Sequence, residues 1–304
     1  MRSDLVAVVV AGTVLAGLGA DPVAAQSFYK GKTVRIVVGS TAGGGLDAYA
    51  RAVGRHLGKH IPGTPTVIVE NMPGAGSLIA ANHVYRVARP DGLTMGHFLG
   101  SLLLGQALGQ PGIEFDAKKF QFVGAANKED VVCGLTRASG ITTLEKWAAA
   151  KTPVKIGAIA PGAPPDNTPR MLRATLGLPI QTLDAGEAVP VVQVTAKPLR
   201  DLPGVPLAMS LARTDEARHL LQAMQASSAY ARPFALPAGV PAERAQMLRK
   251  AFQGTLEDRE FLAETEKARL TVEPVPGEEL QKLVTEVFAL DPALLAKLRQ
   301  ILYN

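Results

Sequence analysis

TVRIVVGSTAGGGLD, residues 33–47, decides the reading of this chain. A β-branched run, Thr33 to Val38, breaks at a glycine loop and passes directly into residues spaced as a helix: Leu46, Ala50, Val53, Leu57 and Ile61 recur at intervals of three and four and predict one buried face from Asp47 to about His60, with Asp47 able to cap its start. The unit repeats at once, with the strand Thr66 to Val69, the glycine loop Pro73-Gly74-Ala75-Gly76-Ser77 and a helix from Ser77. Strand signals return at Thr94 to Leu99, Phe120 to Val123, Val131 to Leu135, Val154 to Ile159, Val189 to Val194 and Ala229 to Leu236, and a helix is expected near Thr168. Alternation of this kind predicts an α/β fold with a largely parallel sheet.

Both glycine loops leave a strand and open a helix. The first amides of a helix lack internal acceptors and sit at its partially positive end, so a carboxylate can supply what is missing. Glycine lets the backbone come close to it. Candidate ligand-binding residues are therefore Gly43, Gly44, Gly45, Leu46 and Asp47 in the first loop, and Gly74, Ala75, Gly76 and Ser77 in the second. Either loop alone could be only a tight turn, whereas two in succession favour a site. Neither loop carries the Gly-Lys-Ser/Thr ending of a phosphate loop, and their glycine spacing does not suit a dinucleotide.

Enzymatic motifs are lacking: there is no Gly-x-Ser-x-Gly elbow and no His-Glu-x-x-His. Cys133, the only cysteine, falls in an apolar strand and reads as inert and buried. His56 and His60 stand four apart, but Leu57 occupies the place where a zinc protease needs its glutamate, so a helix face facing water is the better reading. No catalytic residue, metal or cofactor is expected.

The 304 residues, 47% of them hydrophobic, suffice for about two lobes. Arg2, the apolar run from Leu5 to Leu18 and Val23-Ala24-Ala25 predict a signal peptide over residues 1–25, cut before Gln26. Losing Arg2, Asp4 and Asp21 moves the formal charge from +5 to +6, a mild attraction for anions. Lys and Arg are spread without runs, which argues against nucleic acid as a partner, and no later segment is long and apolar enough to span a bilayer. The expected product is a free periplasmic monomer.

KTVRIVV with STAGGGLD, then VIVENMPGAGS, ARPDGLT at 88–94, GAIAPG at 157–162 and FALPAGVP at 234–241 resemble the solute receptors of tripartite tricarboxylate transporters, the Bug-type periplasmic binding proteins, over nearly the whole mature chain. The resemblance implies a two-lobed α/β clamshell, with lobe 1 formed by residues 26–125 and 228–304 and lobe 2 by 126–227. It implies a small carboxylate ligand held by the amides of Gly43 to Leu46 and Gly74 to Ser77, no cofactor, and delivery to permease subunits in the membrane. Ser101, Asn167 and Thr168 are expected to tune the ligand, and Gly162 is the candidate ligand contact in the second lobe's loop. Gly162-Ala163-Pro164-Pro165 departs from the family's Gly-Ser or Gly-Thr and loses donors, and the step from Leu178-Pro179-Ile180 to the Val189 strand is too short for the usual strand, helix and strand. The second lobe is therefore expected to be truncated, to bind and close weakly, and to expose a sheet edge near Val189 to Val194. A degenerate or sensory partner protein is the alternative function, and a hydrolase on an α/β scaffold is third.

N-terminal sequencing of the exported protein is expected to begin at Gln26. An exported form that still carries the Leu5 to Leu18 segment would refute the cleavage site.

Overall fold

A computed structural model describes residues 28–129, 131–135, 139–156, 164–182, 189–195, 197–198 and 202–303. The signal segment 1–25, Gly162 with Ala163, and Asp184 to Gly186 lie outside the described residues.

The central sheet has six strands, in the order β10 (Val275–Pro276), β4 (Gln121–Ala125), β9 (Pro233–Leu236), β3 (Thr94–His97), β1 (Thr33–Val38) and β2 (Thr66–Asn71). Strand β1 (Thr33–Val38) lies between β2 (Thr66–Asn71) and β3 (Thr94–His97), parallel to both, with Val38 level with Asn71 on one side and His97 on the other. Each strand then enters a helix: α1 (Gly45–His60), α2 (Leu78–Arg86) and α3 (Ser101–Ala107). Three level strand ends therefore deliver three loops to one edge of the sheet, where open α/β sheets bind ligands. Helix α1 buries Leu46, Ala50, Val53 and Leu57, the face its spacing predicts.

After β4 (Gln121–Ala125) the chain crosses to a smaller lobe and returns through a turn at Ser227–Tyr230 into β9 (Pro233–Leu236), which runs antiparallel to β3 and β4. Among the described residues, the smaller lobe holds two two-stranded sheets: β5 (Val131–Leu135) antiparallel to β8 (Val189–Val194), and β6 (Val154–Ile156) parallel to β7 (Ile180–Thr182). Helices α4 (Leu144–Ala148), α5 (Pro164–Leu176), α6 (Ala208–Leu211) and α7 (Asp215–Ala226) cover them. Trp147 is fully buried there and its indole N–H donates to the Pro179 carbonyl. Only residues 183–188 separate β7 from β8, as the shortened sequence requires.

Among the described residues, the exposed edge expected near Val189 to Val194 is not seen from Val191 onward. Val191, Val192, Gln193 and Val194 are buried. The Gln193 N–H donates to the Pro206 carbonyl, and its side-chain amide donates to the carbonyls of Leu202 and Val205. One glutamine thus recruits the 202–207 segment as a cover for the strand, which is how a short lobe avoids an open edge.

Helices α8 (Ala242–Leu256) and α9 (Arg259–Lys267), the short β10 (Val275–Pro276), α10 (Gly277–Phe288) and α11 (Pro292–Tyr303) complete the chain. Sequence places α11 in the first lobe, yet it packs on α5 and α7 of the second, where Lys297 pairs with Glu216 at 3.5 Å. One apolar core accordingly runs without interruption from Val37, Phe98 and Phe120 to Leu172 and Leu221 in the smaller lobe. A second core, around Ile36, Val53, Leu57 and Phe252, fills the other face of the large sheet.

The return crossing is seated by Gly100, whose N–H donates to the Ala231 carbonyl, and a Cβ at Gly100 would stand 1.6 Å from the Tyr230 carbonyl oxygen. Gly100→Ala is expected to cost about 1–3 kcal/mol or more through this overlap. Gly204→Ala, where no atom lies within 4 Å, serves as the control. Equal urea midpoints for the two variants would contradict this seating.

Candidate functional site

Helix α1 has Gly44 at its N-cap, with no side-chain cap. Asp47, at the third helical position, instead reaches back. Its Oδ2 accepts the Gly43 N–H at 2.8 Å and Arg51 Nε at 2.9 Å, and its Oδ1 accepts Asn71 Nδ2 at 2.8 Å. Asn71 ends β2 and also donates to the Ser40 carbonyl at 3.0 Å, while its own oxygen accepts from Arg51 Nη2 at 2.9 Å. Burial alone would raise the Asp47 pKa, but the bonds from Arg51, Gly43 and Asn71 outweigh it and hold the carboxyl down to about 2.

The second loop is bound to the first from below. Ser77 is buried, and its hydroxyl donates to the Gly39 carbonyl at 2.7 Å. A Cβ at Gly39 would stand 2.5 Å from that of Ser77, so the two loops touch backbone to side chain. Gly74, Ala75, Gly76 and Ser77 all have positive φ, at 133°, 45°, 60° and 73°. For Ala75 and Ser77 this is strained backbone, which persists only where surrounding contacts impose it. The second loop therefore opens α2 through a left-handed turn rather than as an ordinary helix start, a distinction its composition did not reveal.

The two loops lie side by side at the carboxyl ends of adjacent parallel strands, as their order predicts. Their candidates divide by role. The Asp47 carboxylate is filled by internal donors and the Ser77 hydroxyl is taken by Gly39, so neither side chain is free to meet a ligand; both hold the loops. The Gly43 amide is likewise taken by Asp47, and the Gly44 amide leans on the Thr41 carbonyl at 3.4 Å. The amides of Gly45, Leu46, Ala75 and Gly76 donate to no acceptor among the described residues.

Ser101 from the start of α3 meets Asn167 and Thr168 from α5 across a cavity between the lobes, about 30 Å³ in volume. Neither glycine loop lines it. The link is a pair that sequence reasoning missed: Glu129, which lines the cavity just after β4, and Arg232, just before β9, joined at 2.6 Å. Arg232 Nη1 comes within 2.7 Å of where a Cβ on Gly45 would stand, so this guanidinium stands between Glu129 on the cavity wall and the first loop. Leu298 and Leu302 of α11 line the same cavity and were equally invisible, because nothing local ties a C-terminal helix to a site. His97 stacks on Phe234 at 4.0 Å, its Nδ1 meets the Pro233 carbonyl, and burial above all lowers its pKa to about 3, so the ring is neutral.

Cys133 is buried, and desolvation pushes its thiol up to about 12, far from nucleophilic use. His56 and His60 are not a water-facing surface but part of a seam with α9. His56 meets Glu264 at 2.8 Å and His60 meets Asp258 at 3.0 Å. His56, Asp258 and Glu260 are spaced for a metal, yet Lys59 Nζ sits on both acids, at 2.9 and 2.6 Å, in the cation's place.

No protein-family model matches the chain. A UPF0065 protein from the gbd 5′ region of Cupriavidus necator is 41% identical over 88 residues, 29% of this chain and 26% of the relative. A UPF0065 protein of Bordetella bronchiseptica is 35% identical over 98 residues, 32% of this chain and 28% of the relative. The chain thus spans little more than a quarter of the length of these curated relatives. The structure is similar to MatC of Rhodopseudomonas palustris with bound malate (TM-score 0.67, 16% identity, 88% of this chain and 99% of that one). It is similar also to an R. palustris protein with adipate (0.67, 18%, 88% and 97%) and to the periplasmic binding protein BugD (0.66, 18%, 90% and 98%). The fold is that of the Bug-type periplasmic binding proteins.

Asp47 titrates near pH 4 in the unfolded chain and near 2 in the folded one, so its contribution to stability is complete above pH 4 and disappears as pH falls toward 2. Asp47→Asn is expected to lower stability by about 2 kcal/mol at pH 7, with the gap to the wild type closing between pH 4 and 2. Coincident urea midpoints at pH 7 would show that the carboxylate does not hold the loops.

Proposed function

We propose that this chain is an extracytoplasmic solute-binding receptor of the Bug type, exported by its signal peptide to the periplasm, that holds a small carboxylate and delivers it to a tripartite tricarboxylate-type permease. The observation that carries the reading is the pairing of two loops with unclaimed amides at the level ends of adjacent parallel strands. A carboxylate has acceptor sites enough for several such amides, and hydrogen bonds to a charged group contribute about 1.5–3 kcal/mol each before desolvation. Neighbours of the same fold hold malate and adipate, dicarboxylates that differ in chain length and in malate's hydroxyl.

A binding role also fits the chemistry around the loops. The one thiol is buried and protonated, His97 is buried and neutral, and no described helix is long and apolar enough to cross a membrane. Ser101, Asn167 and Thr168 supply polar contacts beyond the anchored carboxylate, in a cavity that Glu129, Leu104, Val131 and Met171 also line. The ligand is thus selected by its body and anchored by its charge.

Malate, adipate, succinate and butanoate are expected to raise the melting temperature of the mature protein by several degrees, since a ligand at 100 times its Kd contributes about 2.7 kcal/mol. An unmoved melting curve with every acid would favour the alternative of a sensory or degenerate partner protein.

A further inference from the structure

The Glu129–Arg232 pair joins the two segments that cross between the lobes, one leaving the large sheet and one entering it. It is poorly made. A carboxylate and a guanidinium normally meet through two parallel hydrogen bonds. Here a single contact, Nη2 to Oε1 at 2.6 Å, joins side chains only 22% and 23% exposed. The Arg232 Nε and the Glu129 Oε2 are each buried and find no partner among the described residues. A buried donor and a buried acceptor are left unmatched within one ion pair, a costly arrangement for both.

The other end of the guanidinium is placed against the charge it should avoid. Nη1 lies 2.7 Å from where a Cβ on Gly45 would stand, beside the first residue of α1, at the partially positive end of a sixteen-residue helix whose Gly45 and Leu46 amides find no acceptor among the described residues. Cation and helix start repel unless an anion lies between them. The Tyr49 ring, 5.7 Å from the guanidinium carbon, offers only its π face in partial compensation.

We infer that Arg232 is the ion-pair partner of the carboxylate that binds at the first glycine loop, and that Glu129 holds this place in the empty protein, so that binding exchanges an internal carboxylate for the ligand's. The inference rests on the receptor reading and adds to it a charged residue and an internal competitor. A ligand carboxylate between Arg232 and the start of α1 accepts from the guanidinium and from the Gly45 and Leu46 amides together. It removes the repulsion and provides the second acceptor that the guanidinium lacks. Glu129, released, keeps its place on the cavity wall, where its charge disfavours a second anionic group. The ligand class that fits is a small acid anchored by one carboxylate, with the rest of its body neutral where it meets Leu104, Val131 and Met171.

Titration calorimetry of the mature protein with butanoate, malate and adipate tests this. Glu129→Gln keeps the oxygen that meets Nη2 but removes the competing charge, and it is expected to tighten binding at least tenfold, most for adipate. Arg232→Gln, and the double variant that restores neutrality, are expected to weaken it at least tenfold, with circular dichroism confirming that each is folded. Binding by Glu129→Gln where the wild type shows none also supports the exchange. If wild type and Glu129→Gln bind one acid equally, or if the variant binds it more weakly, the exchange is wrong and the receptor reading stands. If neither protein binds any of the acids, both readings fall.

Discussion

The site depends on one buried carboxylate. Asp47 gathers the Gly43 amide, the Arg51 guanidinium and the Asn71 side chain, and through them fixes the loop after β1 to the end of β2. Without it, Gly43 to Gly45 would have no reason to keep a conformation that leaves amides pointing outward, since an unrestrained glycine loop gains entropy by moving. Ser77 does the same from the other side, holding a strained left-handed turn against the Gly39 carbonyl. Charged and polar side chains are thus consumed in shaping a surface whose own recognition groups are backbone amides. Under the proposed function, such a surface reads charge and shape, and discriminates little between one acid and the next.

What the sequence disclosed follows the same division. Strand β1, its loop and the buried face of α1 were legible because each is local: a β-branched run, a glycine break and an apolar spacing stand within thirty residues. The side-by-side placement of the loops followed from their order in a parallel sheet. Ser101, Asn167 and Thr168 were expected to tune the ligand; they line one cavity together, apart from the glycine loops. Glu129 and Arg232 were not found, because each is a lone charge beside a strand and 103 residues separate them. The role of Asp47 was half visible. Its capping was expected, but reaching back to Gly43 from the third helical position, rather than standing at the N-cap, is a matter of geometry that composition does not encode.

The second lobe shows how a missing unit is accommodated. Losing a strand, helix and strand should have opened an edge along β8, and counting elements alone predicts one. Gln193 changes the outcome with three donors, its own N–H and both hydrogens of its side chain, all satisfied by the 202–207 segment. A buried glutamine is costly unless every group is met, so this one residue makes the cover specific rather than incidental. The C-terminal helix contributes the remainder, packing Leu298 and Leu302 where a larger lobe would supply its own wall.

Those economies have a consequence for binding. On the proposed receptor reading, the cavity of about 30 Å³ between the lobes, which holds roughly two waters, admits the body of a four-carbon acid only when the lobes part. The segments that must flex are the ones carrying Glu129 and Arg232, and the apolar core that continues from Phe98 to Leu221 must be partly exposed in the process. That exposure costs free energy and so disfavours an open form. A ligand's apparent affinity falls by the fraction of molecules able to receive it, so a form populated at about 1% weakens binding about 100-fold relative to the intrinsic value. Loops as well prepared as these can then belong to a weak receptor. On the proposed receptor reading, the limiting quantity is the work of separating two lobes that share a core.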